Sequence, residues 1–410
     1  MTSSAQTRTM IGALIPIYAI TLIDVFGYMI MIPLLPYLAQ KYGASGAVVG
    51  ALLAIMAVAS TIAAPLWGAL SDKLGRKPIV TISQVISLVG YLLVAWAPSL
   101  GMLFVARTVA GIGGGNLGVT QSYISDVTDD RHRDKAFAAF GVVFGIGIVL
   151  GPIAGGFLVK YGFWMPFVVS AAIEAVNIGL TLRFLPKTNR TRKDEFNLKG
   201  AAKEIWTQPR TRSLIVRHFL FIFAVTYFFS IFALYLKHAM NFGPDKASWL
   251  YATTGAIGAV ALAIVVGPLA KRLGDAWVAQ VGFALSAVAY AILAFAQNLW
   301  ALIGVLVLWA VGASCIEPTI AALISESAPE EKRGATLGFN DATSSIALMA
   351  APSLGGWMID TNVALVGLVP GAAVLAAFVL GVLHRREDAT LATGPAHPDD
   401  TSPRRAASKS

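Results

Sequence analysis

Twelve stretches of this chain are long and apolar enough to cross a bilayer, and this repeated length limits the fold more than any other feature. Crossing about 30 Å of hydrocarbon takes about 20 mostly apolar residues, because a helix satisfies its own backbone there. The stretches fall at 11–38, 46–70, 79–97, 101–124, 137–159, 164–184, 214–237, 246–270, 276–296, 299–323, 336–358 and 363–383. Connections such as Pro98-Ser99-Leu100 and Gln297-Asn298 are little more than turns. Composition agrees: of 410 residues, 56% are hydrophobic and 13% charged, with a mean hydropathy of +0.70. That is too little charge to cover a soluble surface, which excludes a soluble enzyme, a nucleic-acid binder and a disordered scaffold. The first stretch is too long for a signal-peptide core and no cleavage pattern follows it, so it is read as retained.

Lysine and arginine orient the chain. With the N-terminus in the cytosol, 26 of the 31 basic residues fall on cytosolic segments. Lys41, Lys160, Lys237 and Lys246 fall outside, and Arg107 lies within a span. The bias puts both termini in the cytosol of a cell with an inner or plasma membrane. The net charge of +9 then marks a membrane face rather than a nucleic-acid partner. The single cysteine, Cys315, allows no intrachain disulfide or cysteine metal site and reads as a buried apolar residue. No metal or cofactor is expected.

A repeat runs through the chain at an offset near 200. Ser125-Asp126 recurs as Ser325-Glu326, Arg133 as Arg333, and Pro152, Gly155 and Gly156 as Pro352, Gly355 and Gly356. Gly68, Leu70, Leu74 and Gly75 recur as Gly267, Leu269, Leu273 and Gly274. The expected organisation is therefore an N-terminal six-helix half over 1–184, a cytosolic linker over 185–213 and a C-terminal six-helix half over 214–384. The linker contains an amphipathic stretch, Leu198 to Trp206, suited to the membrane surface. A polar tail over 385–410 is read as disordered and cytosolic. Two parallel six-helix repeats are the architecture of major facilitator transporters, with a substrate site between the halves.

Residues 68–77 read Gly68-Ala69-Leu70-Ser71-Asp72-Lys73-Leu74-Gly75-Arg76-Lys77. They match the major facilitator loop signature G-x-L-x-D-[RK]-x-G-R-[RK] at every defined position, between spans two and three. The resemblance implies a gate latch: Gly68 and Gly75 permitting a tight turn, Asp72 facing a helix N-terminus of the other half and Arg76 pairing with Asp126; the plainer reading of Lys73, Lys77 and Arg76 is positive-inside anchoring. In the second half Lys271 stands where Asp72 does and Asp275 where Arg76 does, so the latch is expected on one side only. Span five carries Gly141, Gly145, Gly147, Gly151, Pro152, Gly155 and Gly156. This resembles the G-P-x-x-G-G signature of the twelve-helix drug:proton antiporter branch, although plain helix packing needs the same glycines. Arg107 with Gly111, Gly113, Gly114 and Gly115 resembles the buried-arginine motif of that family. Asp24, Gly27, Pro33 and Pro36 resemble the first span of tetracycline and multidrug exporters.

Charges at mid-membrane depth are costly and usually line a water path or a site. Counting 1.5 Å per residue, Asp24 lies about 20 Å and Arg107 about 25 Å from the cytosolic end of their spans. The two are expected to pair or to share water, with Asp24 the first candidate for proton coupling and Arg107 its modulator. Glu174 lies in the middle of span six and is a second proton carrier if it faces inward. Glu317, beside Pro318 near the cytosolic end of span ten, fits a proton, cation-binding, gating or snorkelling role. Asp341 is placed at the start of span eleven, where Asp72 would dock, and N-terminal capping is its plain role.

Aromatic and flexible apolar side chains suit lipophilic solutes. The candidate cavity residues are Phe26, Tyr28 and Met31 in span one, Asn116 and Gln121 in span four, Tyr227, Phe228, Phe232 and Tyr235 in span seven, and Trp309 in span ten. Their other reading is ordinary core packing. Tetracycline exporters carry acids in spans three and nine that this chain lacks, so tetracycline itself is not expected. His132, His218, His238, His384 and His397 sit at span ends, in loops or in the tail, and offer no nucleophile–base pair or metal cluster. No G-x4-G-K-[ST] nucleotide signature occurs, and glycines 111–115 lie inside an apolar span. The reading is a monomeric, proton-coupled efflux transporter of drug-like molecules in the bilayer. A symporter or facilitator for sugars or organic anions is the first alternative, and a non-transporting sensor or enzyme the second.

Overall fold

A computed structural model of the chain describes residues 2–115, 117–129, 132–186, 205–296, 298–329 and 332–392. Most of the expected linker, the tail beyond 392, and Asn116 lie outside these residues. Eleven helices are long and apolar enough to span a membrane. The twelfth expected span, Arg333–Thr361, is a continuous helix of 29 residues whose first half carries the polar residues Asn340, Asp341, Thr343, Ser344 and Ser345. It packs along spans two and seven.

In order, span one is Thr2–Met31 followed by a short turn and Leu35–Lys41, span two Gly46–Leu74 and span three Arg76–Ala95. Span four is Leu100–Gly114 continued by Leu117–Val127, span five Arg133–Leu158 and span six Met165–Phe184. Spans seven to twelve are Pro209–Met240, Pro244–Ala261 continued through a π-helical turn to Gly267–Leu273, Asp275–Leu293, Leu299–Glu326, Arg333–Thr361 and Leu365–Ala392. The two halves repeat down to their caps. Ser99 accepts from the backbone of Met102 at 3.3 Å, and Asn298, at offset 199, accepts from Ala301 at 2.8 Å. Gly75 and Gly274 close the preceding helices at φ +91° and +78°, a backbone that a side chain disfavours.

Large apolar side chains such as Ile62, Leu66, Ile264 and Phe295 are exposed, as a lipid-facing surface requires. Exposed Trp96, Tyr161, Trp164, Trp249 and Trp300 gather at the ends of spans away from the 68–77 loop, an aromatic belt of the kind found at membrane interfaces. The end that carries the 68–77 loop is here called the latch end, and the opposite one the far end.

At the far end the halves meet closely. Span two packs on span eleven, and span five on span eight, the same pairing under the internal repeat. Asp360 accepts from the backbone amides of Gly46 and Ala47 at 2.8 and 2.9 Å, so a span-eleven carboxylate caps the first turn of span two. Tyr37 donates to the Phe242 carbonyl at 2.9 Å, and Lys237 to Gln40 at 2.7 Å. A Cβ on Gly356 would stand 2.9 Å from the Gly50 Cα, so these backbones meet with no side chain between them. Toward the latch end the glycines face open space, with nothing within 4 Å of a Cβ on Gly68, Gly141, Gly145 or Gly334. The close contacts between the halves thus lie at the far end.

Gly356→Leu is therefore expected to wedge the far end apart. In a Cys315→Ala background, spin labels at Lys41→Cys and Asn362→Cys should report a longer distance with the leucine present. An unchanged distance distribution would contradict this packing.

Candidate functional site

The latch loop folds on itself and on span four. Arg76, 4% exposed, reaches the Asp72 carboxylate at 2.6 Å, the Asp126 carboxylate at 3.1 Å and the Ser71 hydroxyl at 2.5 Å. Asp126 is the partner expected for Arg76. Asp72 faces Arg76, one helical turn away, where the sequence suggested a helix of the other half. Its carboxylate is held by the guanidinium of the same half. Lys77 donates to the Leu182 carbonyl at 2.7 Å, tying the loop to span six. Asp341 does not cap a helix: the helix begins at Arg333, two turns earlier, and Asp341 stands beside His218.

Span one packs between spans five and six, which turns Asp24 toward span six. Asn177 donates to the Asp24 carboxylate at 2.6 Å and to the Ile20 carbonyl at 3.2 Å. The Glu174 and Gln84 side chains also come within hydrogen-bonding reach of Asp24. Glu174 and Asn177 are three residues apart, so one face of span six presents both. Glu174, Asn177 and Gln84 are each at most 1% exposed, whereas Asp24 is half-buried. Glu174 therefore faces inward, and two carboxyl groups meet inside the N-terminal half.

Arg107 does not form the expected ion pair with Asp24. Spans three and two hold span four, and the guanidinium lies over the Tyr28 ring, 6.0 Å from its centre, with Nε unpartnered. Tyr91 lies within electrostatic reach of both groups and of Glu174. Gln84, Tyr91 and Asn177 belong to this site although sequence reasoning did not assign them to it. Asn177, one turn after Glu174 on the same helix, was the available signal.

The span-five glycines divide by depth. A Cβ on Gly147 would lie 3.2 Å from the Phe26 amide, and one on Gly151 2.9 Å from the Met29 carbonyl carbon. Gly155 meets Ile30 in the same way. These residues press span five onto the helix that carries Asp24, while Gly156 meets Ser248 of the other half at 2.8 Å. Pro152 lies within the unbroken helix between Gly151 and Gly155.

A model of the Major Facilitator Superfamily matches residues 17–250 and 214–408. The chain belongs to that superfamily. It is 28% identical to the "Tetracycline resistance protein, class H" of Pasteurella multocida, over 86% of this chain and 90% of that one. It is 24% identical to the "Multidrug resistance protein 2" of Bacillus subtilis (strain 168), over 85% and 90%. The crystal structure of the nucleoside transporter NupG shares the fold with a TM-score of 0.73 at 14% identity, covering 90% of this chain and 98% of that one. A bacterial homologue of the human lysosomal transporter Spinster, inward-facing and unoccupied, gives 0.71 at 17% identity, covering 90% and 94%. This member of the superfamily is a multi-pass membrane transporter and not an enzyme.

In the C-terminal half of the transporter, the aromatic residues of span seven form a packed cluster. Tyr227, Phe228, Phe232 and Tyr235 are at most 2% exposed and Trp309 6%. Phe228 lies 4.7 Å from Phe232 and 5.5 Å from Trp309 between ring centres, and Phe229 5.2 Å from Trp309. The Tyr227 and Tyr235 hydroxyls donate to the carbonyls of Leu365 and Ala296 at 3.2 and 3.0 Å. In this conformation the five form the core of that half, because spans nine, ten and twelve close over them. Met31 is also buried, and Phe26, Tyr28 and Gln121 are half-buried.

Nearer the latch end is a cluster that the sequence did not suggest. His218 of span seven is 5% exposed, with Nδ1 2.8 Å from the Asn340 amide oxygen and Nε2 3.6 Å from the Glu317 carboxylate. Glu317 is more than half exposed. Neighbouring Arg217 turns the other way, to Gln280 at 2.5 Å and the Ala377 carbonyl at 3.1 Å.

Arg76→Ala should strand two carboxylates and lower stability by about 1–3 kcal/mol. Arg76→Lys should recover only part, since an ammonium lacks the fork that reaches both. Thermal unfolding in detergent checks this, and three equal midpoints would contradict it.

Proposed function

We propose that this transporter exports lipophilic, drug-like small molecules in exchange for protons, by alternating access of one central cavity. The buried Asp24–Glu174 pair carries the reading. Two neighbouring carboxyl groups, one of them (Glu174) fully buried, cannot both ionise without cost, so the pair retains a proton until solute or a change of access alters its surroundings. Resemblance to proteins named for tetracycline and multidrug resistance supports a drug-like solute. Where tetracycline exporters carry an acid in span three, this chain has Gln84 in the same buried group, which favours a different solute.

In this reading the latch end faces the cytosol with both termini, in the inner membrane, and the conformation described is open inward. Solute enters between the halves past Phe26, Tyr28 and Gln121, with Asn116 on the same span. Its arrival displaces the proton shared by Asp24 and Glu174, with Arg107 favouring the charged acid. Rocking then closes the latch, bringing Asp72 and Lys73 toward span eleven and separating Gly46 and Gly50 from Gly356. The stripe of Gly141, Gly145, Gly151, Pro152, Gly155 and Gly156 lets span five slide on spans one and eight without a clash. Exposed protons reload the pair and reset the cycle. The aromatic core around Phe228, Phe232 and Trp309 forms the rigid wall of the C-terminal half, with Tyr227 and Tyr235 behind it.

One observation favours the alternative of organic-anion movement: Arg107 is a buried guanidinium with a free Nε. Sealed proteoliposomes with an internal pH dye and an imposed proton gradient separate the two. Lipophilic cations and neutral drugs should collapse the gradient in the wild type and not in Asp24→Asn. Protons moving in the same direction as a hydrophilic anion would replace the exporter reading with symport.

A further inference from the structure

We propose that His218 and Glu317 hold one exchangeable proton between them, forming a second proton-binding site, in the C-terminal half. The hydrogen-bond directions around His218 carry the argument. The Asn340 side chain also comes within hydrogen-bonding reach of the Asp341 carboxylate. A carboxylate only accepts, so the Asn340 NH2 points to Asp341 and its oxygen is left for His218. That oxygen is 2.8 Å from Nδ1 and also only accepts, so Nδ1 carries a hydrogen. The Ser344 hydroxyl, 3.4 Å from Nδ1, is a weaker neighbour.

With Nδ1 protonated, a neutral imidazole would aim the Nε2 lone pair at the Glu317 carboxylate, 3.6 Å away. Lone pair and carboxylate repel each other, and a proton between them turns repulsion into an ion pair. Among the described residues, the charged groups that act on the ring are Glu317 from span ten and Asp341 from span eleven, both acids. Arg217 faces spans nine and twelve instead. The ring is buried and Glu317 is more than half exposed, so Glu317 gives the proton a route outward while His218 retains it. The proton also links spans seven, ten and eleven, and its departure loosens that link.

The site deepens the proton-coupled reading but stands on its own geometry. Solid-state 15N spectra of the full chain in liposomes, with labelled histidine and His218→Asn to identify the signal, test it directly. Glu317→Gln should lower the His218 midpoint by about one pH unit, a tenfold loss of proton affinity. Should Glu317→Gln fold poorly, Glu317→Asp withdraws the carboxylate by one methylene and should shift the midpoint the same way. A His218 that titrates identically with and without Glu317 overturns the proposal. If drugs move no protons while His218 titrates through Glu317, the proton site stands and the exporter reading falls.

Discussion

A carboxyl group buried in a bundle as thick as the hydrocarbon core must find its polar partners within the protein. That constraint organises the N-terminal half. Asp24 meets Asn177 at 2.6 Å, with Glu174 and Gln84 beside it, and each partner comes from a different turn or helix. Span one can bring Asp24 there because span five supports it from behind without side chains, through Gly147, Gly151 and Gly155. Glycines at these positions therefore serve packing and chemistry together. They bring span five against span one and keep the acid aimed at span six.

The same economy recurs between the halves. Gly46, Gly50 and Gly356 let spans two and eleven touch backbone to backbone, and Asp360 caps the join. At the latch end Arg76 gathers Asp72 and Asp126 within one half. The far-end contacts join the halves and the latch contacts do not, a division suited to a molecule that rocks about a closed end. The C-terminal half differs in kind: its aromatic side chains fill space, and its polar groups lie in the His218 cluster and around Arg217.

Much of this was legible in the sequence. Twelve apolar stretches and an offset near 200 give the two-half architecture, since bilayer thickness dictates span length and duplication leaves matched caps such as Ser99 and Asn298. The Arg76–Asp126 pair followed from a motif whose members are close in the fold. The Asp24–Arg107 pair did not form, because depth along a helix axis is readable from residue counting but rotation about that axis is not. Rotation turned Asp24 to span six and Arg107 to Tyr28. The same blindness hid His218, which sits near a span end in the sequence yet is buried by spans ten and eleven.

The sequence alone thus determined that this chain crosses a membrane, that it does so as two related halves, and that acids lie within the apolar region. Periodicity, composition and local motifs are properties of a helix by itself. The tertiary structure decided which acids meet, that the span-seven aromatics pack as core, and which end of the bundle is closed. Those outcomes depend on the azimuth and tilt of each helix against several neighbours at once, set by side chains distant in the chain that meet only when the bundle is assembled.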